Sequence, residues 1–359
     1  MKKLDIYILR KFIGTFIYSI SLISVIIIIF DVAEKLDDFL TKHAPIKAIV
    51  VDYYFNFIPY LVNLFSPLFT FISVVFFTSR LAARSEIVAI LSSGVSFRRF
   101  LYPYFIGSFL IAGLSLYLNN IVIPNANKTR LRFENTYLHN TYHNRDVNIH
   151  KQIKPGVFVY MQRYHNLKNS GDKFSLEVIK GQKLKYKLNS DYIVWDSVKH
   201  EWKIYDYYER TFGKHDAQYL KSGVVKDTVI NLKPSDFVEH LNDVEAMNYK
   251  ELNKYIKEQK MAGSTNILYY LVEKDQRTAF PFATFILTFI GVSLSSRKVR
   301  GGTGLHLGIG LLIAFSFILF MQVSTTFAEG GVISPLIAVW IPNFIYGILA
   351  LFMVRFAPK

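Results

Sequence analysis

Six long apolar segments without charged residues constrain this chain more than any other feature of its sequence. A helix needs about 20 predominantly apolar residues to cross the hydrocarbon core of a bilayer. The six segments are Phe12–Phe30, Tyr53–Ser79, Phe100–Ile123, Thr278–Ser296, Gly301–Ala328 and Gly330–Val354. One such run is compatible with a buried helix of a soluble protein. Six of them, in a chain of 359 residues with 51% hydrophobic residues, predict a multi-pass membrane protein.

Lysine and arginine are unevenly distributed among the connections between these segments. The N-terminus, the connections after the second and fourth segments, and the C-terminus carry most of these cations outside the long insert, with Asp5 and Glu86 as their acids. The connections after the first and fifth segments are acidic or nearly uncharged. Because positively charged connections stay in the cytoplasm, we expect both termini to be cytoplasmic. The long region between the third and fourth segments is then expected outside.

A soluble insert separates the first three apolar segments from the last three. Its middle alternates with the period of two that is typical of β-strands, as in Lys183–Leu188. Apolar residues at helical spacing predict a short helix near 248–260, with Asn248 and Glu251 at capping positions. We therefore predict an α-helical integral membrane protein with an inserted all-β, jelly-roll-like domain. The predicted parts are 1–123, with three spans and a helix at 79–94, then the insert 124–277, then three spans in 278–359.

Several classes of protein are excluded or disfavoured by what the sequence lacks. There is no cysteine, so the insert has neither disulfides nor thiolate metal ligands. No phosphate-binding loop of the G-x-x-x-x-G-K-[ST] type occurs, and no H-E-x-x-H or G-x-S-x-G motif. We expect no catalytic residue, no metal site and no cofactor bound by this chain. The net charge of +15 reflects topology and a basic insert rather than nucleic-acid binding.

The connection at residues 79–94 carries more arginine and serine than a simple loop needs. At helical periodicity its residues divide into an apolar side, Leu81, Ile87, Val88, Ile90 and Leu91, and a polar side, Ser85, Glu86, Ala89, Ser92 and Ser93. Gly94 is placed to end the helix in a left-handed cap. Small residues around one carboxylate suit a partner that presents arginine. A docking helix and an ordinary solvated loop both fit this pattern.

Motifs along the whole chain resemble the LptF/LptG family of lipopolysaccharide-export permeases. The string Ser79-Arg80-Leu81…Ser85-Glu86-Ile87-Val88-Ala89…Ser93-Gly94…Arg99…Pro103 is similar to the cytoplasmic coupling region of that family. The opening Tyr7–Phe12, the run from Glu251 to Pro281 and the stretch Gly291…Gly302 also agree in order and spacing. The β-rich insert occupies the same place as in the family.

The resemblance implies a transport subunit, not an enzyme, in the inner membrane of a Gram-negative bacterium. Two such permeases would pair on a homodimeric cytoplasmic ABC ATPase, which holds the ATP and Mg. They would extract lipopolysaccharide and pass it to periplasmic jelly-roll bridge proteins toward the outer membrane. The residues implied to couple the ATPase are Arg80, Arg84, Ser85, Glu86, Ala89, Ser93 and Gly94. The resemblance leaves open whether the chain is the F-type or the G-type subunit, and whether it pairs with a second copy of itself or with a different permease.

Basic residues near the outer ends of the spans are candidate contacts for the phosphates of the lipid. Together with those implied by the resemblance, they are Lys35, Lys42, Lys128, Arg130, Arg132 and Arg277. Each also has a simpler interpretation. The residues after the third segment resemble snorkelling anchors, and Arg277 is placed to pair with Glu273 four residues earlier.

Apolar residues on the predicted strands form a candidate lining for an acyl chain in the β domain. They are Phe158, Tyr160, Leu176, Val178, Leu184, Tyr186 and Trp202. An ordinary sandwich core fits the same alternation equally well.

Two other functions remain alternatives. A transporter of another lipid or amphiphile, driven by its own ion gradient, would need paired carboxylates deep inside the spans, and the six segments contain none. A membrane-anchored scaffold or sensor, whose β domain binds a partner, would need no ATPase.

Overall fold

The computed structural model describes residues 2–138, 147–213, 217–237, 241–297 and 302–357. Within these ranges, six helices are long and apolar enough to cross a membrane, as predicted. They are Lys3–Thr41, Ile46–Ala83, Phe97–Tyr137, Ile267–Ser295, Thr303–Glu329 and Pro335–Arg355, called spans 1 to 6 in chain order. A six-stranded antiparallel sheet lies between spans 3 and 4 in the chain, which confirms the predicted fold class.

The chain divides into two compact units. The membrane unit comprises residues 1–138, 244–250 and 268–359, and the β unit comprises residues 139–243 and 251–267. These boundaries fall inside the predicted insert 124–277, because span 3 continues as helix to Tyr137 and span 4 begins at Ile267. The extension of span 3 exposes polar residues such as Lys128 and Arg132 on one side. Its other side, with Ile123, Leu131 and Phe133, is buried.

Spans 1, 2 and 3 share an aromatic core at the end where the chain begins. Phe12, Phe100 and Tyr104 are fully buried there. Gly107 of span 3 allows span 1 to approach closely, since a Cβ at this position would lie 2.4 Å from the ring of Phe12.

A second core joins span 2 to spans 4, 5 and 6. Phe71 of span 2 packs with Leu287, Phe317 and Ala350. Glycine again allows the close packing, because a Cβ on Gly310 of span 5 would lie 3.0 Å from the ring of Phe71. Span 2 therefore contacts residues of both cores.

Spans 2 and 3 each contain one π-helical turn, at Ile49–Tyr54 and Leu118–Val122. Such turns are rare and often occur at functional positions. The first turn carries Tyr53 and Tyr54, and the second carries Asn119. Asn119 accepts a hydrogen bond from Asn63 of span 2 at 2.8 Å.

The six strands of the β unit pair in sequence order in one antiparallel sheet. They are β1 Val147–Lys154, β2 Val157–His165, β3 Ser170–Lys180, β4 Lys183–Asp196, β5 Glu201–Phe212 and β6 Gln218–Thr228. Strands β4 and β5 form a hairpin in which Trp195 pairs with Trp202. A helix at Tyr249–Ala262 matches the one expected near 248–260. The side chain of Asn248 accepts a hydrogen bond from the backbone N–H of Lys250 at 3.0 Å.

One face of the sheet forms the apolar core of the β unit. Met161, Phe174, Leu188 and Ile204 are buried on it. The chain after β6 covers this face, because Ile230, Leu232 and Phe237 belong to the same core.

The contact between Gly107 and Phe12 predicts a specific sensitivity of the span 1–span 3 packing. Gly107→Ala should lower the free energy of unfolding by about 1–3 kcal/mol, because the added methyl group displaces a fully buried ring. Gly113→Ala, in the same span, is the matched control, since a Cβ there meets nothing within 4 Å. Denaturation of both variants in detergent measures the difference. Equal stability of the two would contradict the assigned packing.

Candidate functional site

The connection between spans 2 and 3 contains two helical pieces rather than one. Span 2 ends at Ala83, and a short helix spans Glu86–Ser92. Ser85 between them has φ +61°, a left-handed conformation that interrupts a helix. The continuous helix predicted over 79–94 is therefore corrected. Gly94 has φ +85° and ends the short helix, as its position indicated.

The short helix is held by one buried residue and presents its other face to solvent. Ile87 is 1% exposed and packs in the core of spans 1 to 3. Ala89, Ser92 and Ser93 are exposed. Val88, predicted on the apolar side, is 55% exposed.

Glu86 lies at the start of the short helix with its side chain 34% exposed. Its ion-pair partner among the described residues is Arg84, whose Nη1 lies 4.0 Å from Oε1. A contact at that distance between two partly exposed side chains contributes little. Arg80 and Arg84 are exposed beside it. The structure thus leaves the Glu86 carboxylate accessible to a partner.

An ion pair between a buried carboxylate and a partly exposed arginine lies near this connection. Arg99, at the start of span 3, donates from Nη1 and Nη2 to the two carboxylate oxygens of Asp5, each at 2.7 Å. Asp5, in span 1, also accepts from the backbone N–H of Lys2. Two parallel bonds fix both position and orientation. The sequence placed Arg99 only in the motif string that resembles the family, and nothing in its spacing indicated this partner 94 residues away.

Lys35 lies in a cage of acidic and aromatic side chains toward the end of span 1. Its Nζ lies 2.6 Å from Oδ1 of Asp31 and is hydrogen bonded to the hydroxyl of Tyr53. The Tyr54 hydroxyl donates to Oδ2 of Asp31 at 3.0 Å. The π-helical turn of span 2 supplies both tyrosines. Lys35 keeps partial exposure, and an anionic ligand would have to compete with Asp31 for it.

Arg130 and Arg277 are buried in an internal network, whereas Lys128 and Arg132 are exposed and Lys42 is half-buried. Nη2 of Arg130 lies 3.3 Å from Oε2 of Glu245, and its guanidinium stacks near Tyr60. Arg277 pairs with Glu273 at 3.1 Å, as the alternative interpretation predicted. It also donates to the carbonyls of Val244 and Met247 at 2.7 and 2.6 Å. The predicted cluster of lipid-contact residues therefore splits into exposed and internal members.

Glu245 is the member of this network that sequence reasoning missed. Burial raises the pKa of its carboxyl to about 6, and Glu273 and Glu134 add to the shift while Arg130 and Arg277 oppose it. A cavity of about 140 Å³ adjoins Glu245. Its polar lining includes Tyr60, Asn63, Asn119, Asn127 and Gln276. No motif relates Glu245 to Arg130, because 115 residues separate them.

The residues proposed to line an acyl path lie on both faces of the sheet. Phe158 pairs with Glu177 and Tyr160 with Ser175, so both point away from the apolar core. Trp202 is fully buried in that core, and Leu176 and Tyr186 pack against it. Val178 and Leu184 are half-buried. The seven residues therefore do not form one common lining.

The core face is filled by the chain itself. Nε1 of Trp202 donates to the carbonyl of Leu232 at 2.7 Å, and Tyr164 stacks on Phe237 with ring centroids 4.3 Å apart. In the described residues, side chains of the β unit itself fill this face of the sheet.

Strand β6 has exposed apolar side chains at the edge of the sheet. Within the described strands it pairs with β5 alone. Its exposed large residues are Tyr219, Leu220, Val224 and Val225. An unpaired edge of this kind is a template for addition of a strand from another protein.

Comparison with known proteins gives one finding that covers nearly the whole chain. A family model described as "Lipopolysaccharide export system permease LptF/LptG" matches residues 6–355. The match includes all six spans and the sheet between them. No curated protein matches the chain.

The buried carboxyl of Glu245 predicts a pH dependence of stability. Its pKa is about 6 in the folded protein, against the ordinary 4.5, so between these values the folded state holds a proton that the unfolded chain releases. The contribution of Glu245 to the free energy of unfolding therefore falls as pH rises through this window. Glu245→Gln should remove this decrease in the free energy of unfolding with rising pH.

The measurement is the difference in unfolding midpoint between wild type and variant at each pH. The control is Glu258→Gln, an exposed carboxylate of the helix Tyr249–Ala262. A difference that does not change with pH for Glu245→Gln would contradict the assigned burial.

Proposed function

Because the chain belongs to the LptF/LptG family of lipopolysaccharide export system permeases, we propose that it is one permease subunit of an ATP-binding-cassette exporter. In this proposal it resides in the bacterial inner membrane, and a separate chain hydrolyses ATP with Mg. It draws lipopolysaccharide from the membrane and passes it to a periplasmic bridge. The observation that carries the proposal is the family match over residues 6–355. Because this match covers nearly the whole chain, it argues against a scaffold or sensor of another kind.

The proposed topology follows from charge. The ends of the spans near Arg80, Arg84, Arg98 and Arg99 face the cytoplasm, since basic connections are retained there. The β unit is then periplasmic, and both termini are cytoplasmic.

The short helix Glu86–Ser92 is the proposed contact for the homodimeric ATPase. Its exposed Ala89, Ser92 and Ser93 permit close approach, and Glu86 offers a carboxylate that suits an arginine of the partner. Ile87 anchors the helix in the core shared by spans 1 to 3. A displacement of the short helix would therefore move residues of those spans, which is what coupling requires. Arg80, Arg84, Ser85 and Gly94 complete this contact set.

The proposed contacts for lipid phosphate are the half-buried Lys35 and Lys42 and the exposed Lys128 and Arg132. Asp31 beside Lys35 limits the affinity of that site, so that the lipid can leave. Arg130 and Arg277 hold the neighbouring helices in place through Glu245, Glu273 and backbone carbonyls. Their proposed part is to position the contact residues.

Two protein partners complete the proposal. A second permease of the same family pairs with this one, and a periplasmic jelly-roll protein adds a strand to the sheet. The exposed edge of β6, with Leu220 and Val224, supports strand addition at that position.

The ATPase contact is tested by Glu86→Ala and Glu86→Arg. Both should abolish lipopolysaccharide export while the protein still inserts in the membrane, because the carboxylate that receives the partner is lost. Export is measured in proteoliposomes that contain the copurified complex, together with ATPase retention in mild detergent. Glu258→Gln, an exposed carboxylate outside the short helix, should export normally. Normal export by both Glu86 variants would exclude this contact.

The lipid contacts are tested by the double charge reversal Lys35→Glu and Arg132→Glu. Photo-crosslinking to lipopolysaccharide should weaken severalfold, because two phosphate-binding cations become anions. Lys254→Glu, on the exposed surface of the helix Tyr249–Ala262, is the matched control. Crosslinking equal to wild type in the double variant would rule out this lipid site.

A further inference from the structure

A groove of about 650 Å³ lies on the β unit, centred on the face of the sheet opposite the apolar core. Its lining residues come from strands β1 to β5, and its volume is within the range of small-ligand sites, about 300–1,000 Å³. None of the contacts proposed above for the ATPase or for lipid phosphate uses it.

The floor of the groove is a row of four side chains, one from each strand. The register pairs Tyr160 with Ser175, Ser175 with Asn189, and Asn189 with Tyr208. Paired residues in antiparallel strands share a face, so all four side chains lie on the groove side. At about 4.8 Å per strand, the two tyrosines stand about 14 Å apart. The groove therefore has an aromatic ring toward each end and small polar groups between them.

The aromatic groups are partly open to solvent. Tyr208 is 46% exposed, and Phe158, in the next row along β2, is also exposed. Tyr160 packs against the ring of His150 with centroids 4.8 Å apart and donates to Asn148, which fixes its orientation. Fixed, accessible rings offer flat apolar surfaces on which a ligand ring can lie.

The polar groups between the rings have unused hydrogen-bonding capacity. The hydroxyl of Ser175 is buried and makes no hydrogen bond to any described residue. Asn189 donates to the Tyr208 hydroxyl at 2.8 Å, which leaves its carbonyl oxygen as an acceptor. Asp206, at the rim, has no ion pair or hydrogen bond among the described residues. A buried hydroxyl without a partner is costly unless a ligand or water satisfies it.

The charges of the groove are mostly neutralised within it. Lys173 pairs with Asp191 at 2.7 Å, and Lys187 pairs with Glu177 at 2.7 Å. A phosphate group would have to break one of these pairs to reach a lysine of the groove. A neutral ligand with many hydroxyl groups would not, and it could use the ion-paired oxygens as additional acceptors.

From the row of Tyr160, Ser175, Asn189 and Tyr208 we infer that the groove binds a short, uncharged stretch of oligosaccharide. Sugar rings present apolar faces to the tyrosines, and their hydroxyls reach Ser175, Asn189 and Asp206. The saccharide part of the exported glycolipid is one source, which rests on the proposed function. A free glycan is the other source of the same chemistry.

The full chain in detergent, copurified with its partners, is the sample for the test. Saturation-transfer NMR is recorded with three probes: delipidated core oligosaccharide released from lipopolysaccharide by mild acid, a linear glucan oligomer, and lipid A without core sugars. We expect binding of at least one saccharide probe. Tyr208→Ala and Tyr160→Ala should each raise its Kd by about tenfold or more. Tyr192→Ala, a half-exposed tyrosine of β4 outside the groove, should change it by about twofold at most.

Each outcome decides the inference. Binding of the core oligosaccharide that depends on both tyrosines supports the glycolipid as source, and binding of the glucan alone supports a free glycan. Binding of lipid A alone, of no probe, or of saccharide equally by wild type and Tyr208→Ala would overturn the inference.

A parallel measurement separates this inference from the proposed function. Photo-crosslinking of lipopolysaccharide from positions beside Lys35 and Arg132 reports on the proposed phosphate contacts alone, and it is recorded for wild type and for the Lys35 and Arg132 double variant. If the saccharide does not bind while export and crosslinking are normal, the groove inference alone fails. If the groove binds saccharide while the Glu86 and Lys35 variants behave as wild type, the proposed function fails.

Discussion

The structure depends on the fact that hydrocarbon offers no hydrogen bonds. Every backbone group inside a bilayer must be satisfied within the protein, which leaves the six long helices as the solution for this chain. The same constraint acts on polar side chains within the spans. Asn63 donates a hydrogen bond to Asn119 and accepts one from Ser115. Asp5 accepts hydrogen bonds from both terminal nitrogens of Arg99. These pairs connect different spans, so satisfying them also fixes how the helices pack.

Charge pairing separates two groups of basic residues that look alike in the sequence. Arg130 and Arg277 are buried, so their charges have to be compensated inside the protein, and Glu245 and Glu273 compensate them. Arg132, two residues after Arg130, is exposed and remains available to a lipid phosphate. Lys35 is intermediate, since Asp31 and two tyrosines hold it while part of its side chain stays accessible. Burial thus distinguishes the arginines that position neighbouring helices from the basic residues that are proposed to contact lipid.

The short helix and the sheet each have one buried face and one exposed face. Ile87 anchors the short helix on one side, and the small residues Ala89 and Ser93 remain exposed on the other. The sheet buries Leu188 on one face and presents Tyr208 on the other. In each case the buried face makes the element rigid, which allows the exposed face to hold a defined shape for a partner or ligand.

The sequence by itself determined the six spans, the β-rich insert and the family, because length, alternation and motif order are local properties. It also placed Gly94 correctly at the end of the short helix. Only the tertiary structure decided the turn at Ser85 and the approach of Glu245 to Arg130. It also decided the separation of Phe158 from Leu176, because register and strand pairing assign each residue to a face. Such features depend on contacts between distant residues, which periodicity along the chain does not encode.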